Sequence, residues 1–176
     1  IGVQEFGLPL SACLEPNRAL KNEIDSDKTQ LDSLSSQIDD KKNQKLENII
    51  SKECKTQPLA CNVNITKKEE LSRLGKQIVK KYGKIDGLVN NAFYSPRLDV
   101  KRSAMKFEEY PADLWNDVVS VNLTGIFLCC QEFGKIMVKQ KTGGSIVNIS
   151  SVYGINGADQ RIYGKSELNS PPSYAA

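Results

Sequence analysis

Two short apolar runs, each closing on small polar residues, constrain this chain more than any other feature. The first is "KIDGLVNNA", Lys84 to Ala92, in which Ile85, Leu88 and Val89 lead into two asparagines. The second is "SIVNISS", Ser145 to Ser151, which reads as a buried strand ending in two serines. Ahead of the first run, residues 67–82 place Leu71, Leu74, Ile78 and Val79 on one helical face, and Gly83 stands where a left-handed C-cap belongs. Between the runs, "PADLWNDVVSVNLTGIFLCCQEFGKIMVKQ" predicts one long helix opening at Pro111 or Ala112 and stopped by Thr142–Gly144. A further short strand is expected at "PLACNVNIT", Pro58 to Thr66, with Thr66 as the next N-cap and Glu69 as its capping-box partner. Strand and helix thus alternate, which argues for βαβ units and a parallel sheet. In open parallel sheets ligands bind beyond the carboxyl ends of the strands. Asn90–Asn91–Ala92 and Ser150–Ser151 lie at such ends.

The region before Pro58 is lysine-rich and polar. Apolar residues at Leu20, Ile24, Leu31, Leu34, Ile38, Leu46 and Ile49 recur at helical spacing, predicting an amphipathic helix over residues 17–56. Asp25–Asp27 or Asp39–Asp40 would divide it in two. The pattern lapses at Lys42, which favours a helix packed on a sheet over a coiled-coil arm. At 176 residues the chain is one domain's worth, expected as a single partial domain over 1–176.

Composition narrows the chemistry. There is no histidine, and Cys13, Cys54, Cys61, Cys129 and Cys130 show neither C-x-x-C pairing nor metal-ligand spacing. No metal site is expected, and no triad that needs an imidazole. Free thiols fit a reducing compartment, so a cytoplasmic location is expected. The net charge of +3 is spread along the chain without a basic stripe, so no nucleic-acid partner is expected. No continuous apolar run approaches the roughly 20 residues of a membrane span. Chemistry must run on Tyr, Ser, Lys, Asn and carboxylates.

Four stretches taken together, "NNA", "VSVNLTG", "VNISS" and "SYAA", resemble the short-chain dehydrogenase/reductase family. The resemblance covers about Pro58 to Ala176 and implies a Rossmann-like, doubly wound, three-layer α/β/α fold, incomplete in this chain. It also implies hydride transfer between NAD or NADP and a hydroxyl or carbonyl carbon. Carried over by residue, the acid/base is Tyr174, the serine that orients the substrate oxygen is Ser151, and the helix asparagine tied to a proton-relay water is Asn122. Asn90, Asn91 and Ala92 resemble the cofactor-side motif, although Phe93 stands where the family has Gly, a residue that admits backbone angles Phe resists. On the same resemblance Gly2 is the tail of a glycine-rich turn. Glu15 would end the second strand, "SACLE", and bind the adenosine ribose, with Arg18 nearby suited to a 2′-phosphate. Asn64 would accept from the adenine amino group.

Tyr163 lies at the commoner spacing from Ser151, but Glu167 occupies the position where the family's lysine would follow; Tyr153 is expected as a cleft wall. A tyrosine of ordinary pKa, about 10, needs about 4 kcal/mol of preferential stabilisation to act as a base near pH 7. The family draws this from a lysine four residues on, a position past Ala176. With no initial Met either, the chain reads as a fragment, expected to be poorly stable and inactive while the complete gene product is active. The narrower resemblance is to oxidoreductases of bacterial nonulosonic (legionaminic-type) acid and flagellin glycosylation pathways. A 3-oxoacyl-carrier-protein reductase and a non-catalytic dinucleotide sensor or scaffold are the alternatives. The family pairs through its long helices, so a homodimer or homotetramer using Asp113–Lys139 is expected.

Overall fold

The computed structural model describes residues 10–95, 102, 105–166 and 168–174. The chain divides into two compact units, Ile1–Asn62 and Val63–Ala176.

The first unit is built on one helix, α1 (Leu10–Cys54), 45 residues long. It does not break at the aspartates. Neither Gly nor Pro occurs from Asn17 to Cys54, and an interior Asp costs only tenths of a kcal/mol, well below the ~1 and ~3 of Gly and Pro. Two expectations are corrected here. "SACLE" is helical, so Glu15 sits within α1 and not at a strand end. Its apolar stripe is exposed among the described residues, from 44% at Ile49 to 66% at Leu31, where packing had been expected.

Past Cys54 the chain turns at Lys55, whose φ is 53°. The strand expected at Pro58–Thr66 is absent. A side chain of α1 takes a backbone group that a ladder would use, the Ala60 N–H donating to Glu47 Oε1 at 2.7 Å, and the Asn62 side chain is tied to α1 through Nδ2 donating to Asp39 Oδ2 at 2.6 Å.

The second unit runs α2 (Lys68–Tyr82), β1 (Gly87–Asn90), α3 (Ala112–Lys139) and β2 (Ser145–Asn148). β1 and β2 pair in parallel, with Leu88 opposite Ile146, Val89 opposite Val147 and Asn90 opposite Asn148. Side chains alternate across a strand, so Leu88 and Ile146 share one face and Val89 and Val147 the other. Leu88 packs toward the core cluster. Val89 and Val147 are 63% and 49% exposed, so the strand expected to be buried has an open face among the described residues. Parallel strands are ordinarily covered on both faces. The covering layer on one side is present here.

That layer is α2 against α3. Leu71, Ile85, Cys129, Phe133 and Met137 form the buried cluster. At the crossing a Cβ on Gly75 would come within 2.7 Å of Ile136 Cδ1, so a larger residue there would make the end of the Ile136 side chain shift. Burial pushes the Cys129 thiol up, which leaves it a packing residue. Gln140 fixes the entry to β1, its Oε1 accepting from Ile85 N and its Nε2 donating to the Ile85 and Gly143 carbonyls. The expected C-cap stands, with Gly83 at φ 83° and its N–H on the Val79 carbonyl at 2.8 Å. The expected N-cap shifts from Thr66 to Lys67, which offers no side-chain cap.

α3 is interrupted by a π turn at Ser120–Gly125. By length and composition alone it is apolar enough to cross a membrane. Its buried stripe of Leu114, Val118, Cys129, Phe133 and Met137 is that of a helix packed on a core.

Glu132 on α3 accepts from Lys135 at 2.8 Å and lies 3.8 Å from Lys68 at the start of α2. The Lys135 bond, ahead of the Coulombic pull of both lysines, holds its carboxyl below the ordinary 4.5. A depressed folded pKa contributes stability that is present above the ordinary value and is lost as pH falls through the folded one. Glu132→Gln is therefore expected to flatten the acid limb of stability against pH below 4.5, measured by urea unfolding at several pH values. An unchanged limb would contradict this placement.

Candidate active site

Both strands deliver their carboxyl ends to one place. Ser151, three residues past β2, is half-buried and opens the short turn Val152–Gly154. Its Oγ accepts from the Tyr153 N–H at 3.3 Å and from Tyr174 Oη at 3.1 Å. Both lone pairs are thus engaged, and the Ser151 hydroxyl proton is left to donate outward. The structure therefore brings Ser151 and Tyr174 together across 23 residues of sequence.

Tyr174 is placed by its ring and by the turn that carries it. The ring lies edge-on to Phe93 at 5.7 Å between centroids and to Tyr153 at 5.9 Å. Its neighbour Ser173 is buried and shares a 2.9 Å hydrogen bond with Tyr110 Oη, anchoring the turn Pro172–Tyr174. Behind it, Gln160 closes a two-way clasp on the Ser170 backbone, accepting from its N–H at 2.8 Å and donating to its carbonyl at 3.3 Å. Tyr163 lies in the turn Gln160–Tyr163; the tyrosine bonded to Ser151 is Tyr174.

Asn122 sits in the π turn of α3, half-buried. Its side chain grips the backbone of Tyr94, Oδ1 accepting from N–H at 2.8 Å and Nδ2 donating to the carbonyl at 3.0 Å. The resemblance ties this residue to a relay water; its side chain also fixes the loop that presents Phe93 to Tyr174. Asn122→Ala is expected to lower stability by about 0.5–1.5 kcal/mol, since the freed Tyr94 backbone groups are exposed and can bond to water. It should also lower kcat through a loosened Phe93, as denaturation and steady-state kinetics would show.

Asn90 is buried, donating from Nδ2 to Asn148 Oδ1 at 2.8 Å and to Cys130 Sγ at 3.3 Å. It locks the two strand ends side by side. Asn91 and Ala92 are exposed beyond it and, with Asn90, line a groove of about 260 Å³ along the free edge of β1. Phe93 makes its turn without a positive φ, so the departure from Gly is accommodated. Asn64 Oδ1 accepts from both the N–H and the hydroxyl of Thr66, which occupies the lone pairs an adenine amino group would need. Gly2 lies outside the described residues. Tyr110 and Gln160 carry no motif signal and were invisible in the sequence.

This arrangement has counterparts. Residues 28–166 match the family described as short chain dehydrogenase. The chain belongs to that family. Short chain dehydrogenases are oxidoreductases with a Rossmann-type dinucleotide-binding fold, and Asn122 and Ser151 fall inside the matched stretch while Tyr174 lies beyond it. Over 99 residues the chain is 39% identical to a 3-oxoacyl-acyl-carrier-protein reductase of Synechocystis sp., a match covering 56% of this chain and 37% of that one. Over 103 residues it is 38% identical to 5-keto-D-gluconate 5-reductase of Escherichia coli K12, covering 58% and 37%. Levodione reductase superposes with a TM-score of 0.56 at 25% identity, covering 72% of this chain and 43% of that one. NAD+-bound xylitol dehydrogenase shares the fold, with a TM-score of 0.61 at 24% identity over 76% and 44%. The chain spans well under half the length of each.

Proposed function

We propose that the intact protein is an NAD(P)-dependent oxidoreductase acting on a hydroxyl or carbonyl of a sugar or sugar-derived substrate. Tyr174 serves as the acid/base. The observation that carries this is the 3.1 Å bond from Tyr174 Oη to Ser151 Oγ at the carboxyl end of a parallel strand pair. A substrate oxygen entering beside these groups meets two hydroxyls at once. Ser151 donates its free proton and holds the oxygen as charge develops. Tyr174 exchanges that bond for one to the substrate oxygen, giving its proton in reduction and taking it back in oxidation. Phe93 and Tyr153 contact the ring edge-on and hold it in place.

Exposed Asn91 and Ala92, beyond the locked Asn90–Asn148 pair, would lie along the nicotinamide end of a dinucleotide. Asn64 Oδ1, engaged by Thr66, would exchange those bonds to accept from an adenine amino group. When bound, the nicotinamide supplies or accepts the hydride.

A cavity of about 310 Å³ adjoins the Tyr174 turn, lined by Gln160, Asn169 and Ser170 and by the apolar Met105, Phe107 and Pro172. Among the described residues, Lys106 and Glu108 are the charged ones that line it. A few polar groups on an apolar wall suit the hydroxyls and ring face of a sugar-derived substrate. A carrier-protein substrate would call for a basic surface. Exposed Leu123, Phe127 and Val138 on α3 support pairing of subunits through that helix, and the cysteine content suits work in the cytoplasm.

The test is a comparison of keto sugars with an acetoacetyl thioester as substrates of the intact protein, following nicotinamide oxidation. The keto sugar is expected to win by at least about tenfold in kcat/KM, equivalent to ~1.4 kcal/mol. Preference for the thioester would move the reading to the fatty-acyl reductase, and turnover of neither would remove it.

A further inference from the structure

The longest helix of the chain has a face that its own unit leaves bare. Ile24, Leu31, Leu34, Ile38 and Ile49 fall along one side of α1, each at least 44% exposed. The return segment after Cys54 is held elsewhere on the helix, through Asp39 and Glu47. A stripe with this spacing is the seam of a two-helix coil, which is unstable without a partner.

Two observations say what that partner is. From Glu23 to Asp40 the helix carries six acidic residues against one basic, Lys28. From Lys41 to Lys52 it carries four basic residues against one acidic, Glu47. Parallel pairing of two copies would set like halves together, whereas antiparallel pairing sets acid on base. The second observation concerns the seam itself, which is interrupted by Asp27, Lys42 and Lys45. Asp27 and Lys45 lie five turns apart at 3.6 residues per turn, so they point along one line. Both are exposed and stand equally far from the point midway between Leu34 and Ile38.

We propose that α1 forms an antiparallel coiled coil with α1 of a second copy of this chain, centred between Leu34 and Ile38. About that point Leu34 meets Ile38 of the second copy and Asp27 meets its Lys45, each contact occurring twice. Ile24 falls near the other copy's Ile49. A parallel pair would instead place Asp27 on Asp27 and Lys45 on Lys45 within the seam, where like charges facing one another destabilise.

Sedimentation equilibrium of the full chain tests this with Asp27→Lys, Lys45→Asp and the double reversal. Circular dichroism confirms that the helix persists in each. Each single reversal creates two like-charge contacts and is expected to weaken self-association about tenfold, and the double reversal restores it. Both singles weakened without rescue by the double would overturn the antiparallel register. Association indifferent to all three variants, or absent in the parent chain, would overturn the interface itself. Because the readout is the response to paired charges on α1, pairing through α3 does not imitate it.

Discussion

Tyr174→Phe in the intact protein is expected to lower kcat by about 10³, with KM changed little. The substitution removes one oxygen and keeps the ring, so the edge contacts to Phe93 and Tyr153 survive and the turn held by Ser173 and Tyr110 is undisturbed. A loss confined to kcat therefore reports the proton transfer and not the fold. Tyr163→Phe supplies the control, since Tyr163 is the tyrosine at the family's commoner spacing but is not the one bonded to Ser151. It should retain activity within about threefold, below the ~1 kcal/mol typical of a lost catalytic contact. Reversed outcomes would transfer the acid/base role to Tyr163.

Phe133→Ala is expected to destabilise the second unit by about 3–5 kcal/mol, the range for a buried aromatic truncated without collapse of its site. Phe133 is 5% exposed and its ring packs beside Gly75 of α2. Neighbours on rigid helices cannot close the void. Against a total stability of 5–15 kcal/mol for an ordinary domain, the loss would be visible as a large fall in urea midpoint. A change below about 1 kcal/mol would mean that α2 and α3 do not pack as described.

How much of this was legible beforehand varies along the chain, and the variation has physical causes. α2, β1, α3 and β2 could be read because each carries its period and its punctuation: Leu71, Leu74 and Ile78 on one face, Gly83 past the end, and Gly143–Gly144 between α3 and β2. The strand expected at Pro58–Thr66 has the right composition, but a strand exists only if something pairs with it. Here Glu47 supplies the acceptor to the Ala60 N–H instead. "SACLE" failed for the opposite reason, a locally ambiguous stretch drawn into the long helix that follows it. The exposure of Val89 and Val147 depends on which layers surround the sheet, which no local pattern encodes.

The site divides in the same way. Ser151 and Asn122 stood out as polar residues at a strand end and within an apolar helical stripe, and Tyr174 through the resemblance of "SYAA" to the family's motif. The groups that hold them in place had no such mark. The Gln160–Ser170 clasp and the Ser173–Tyr110 bond join ordinary residues whose meeting is decided by the path of the loop. The grip of Asn122 on the Tyr94 backbone was likewise set by the path of the loop and carried no mark in the sequence.

The most direct test of the central claim is deuteride transfer. The intact protein, given carbonyl-deuterium-free keto sugar and nicotinamide cofactor deuterated at the transferring carbon, should place deuterium on the carbinol carbon, read by NMR of the product. The wild-type protein is expected to give that label and Tyr174→Phe to give almost none. Product carrying no carbon-bound deuterium, or equal label from both proteins, would contradict the account.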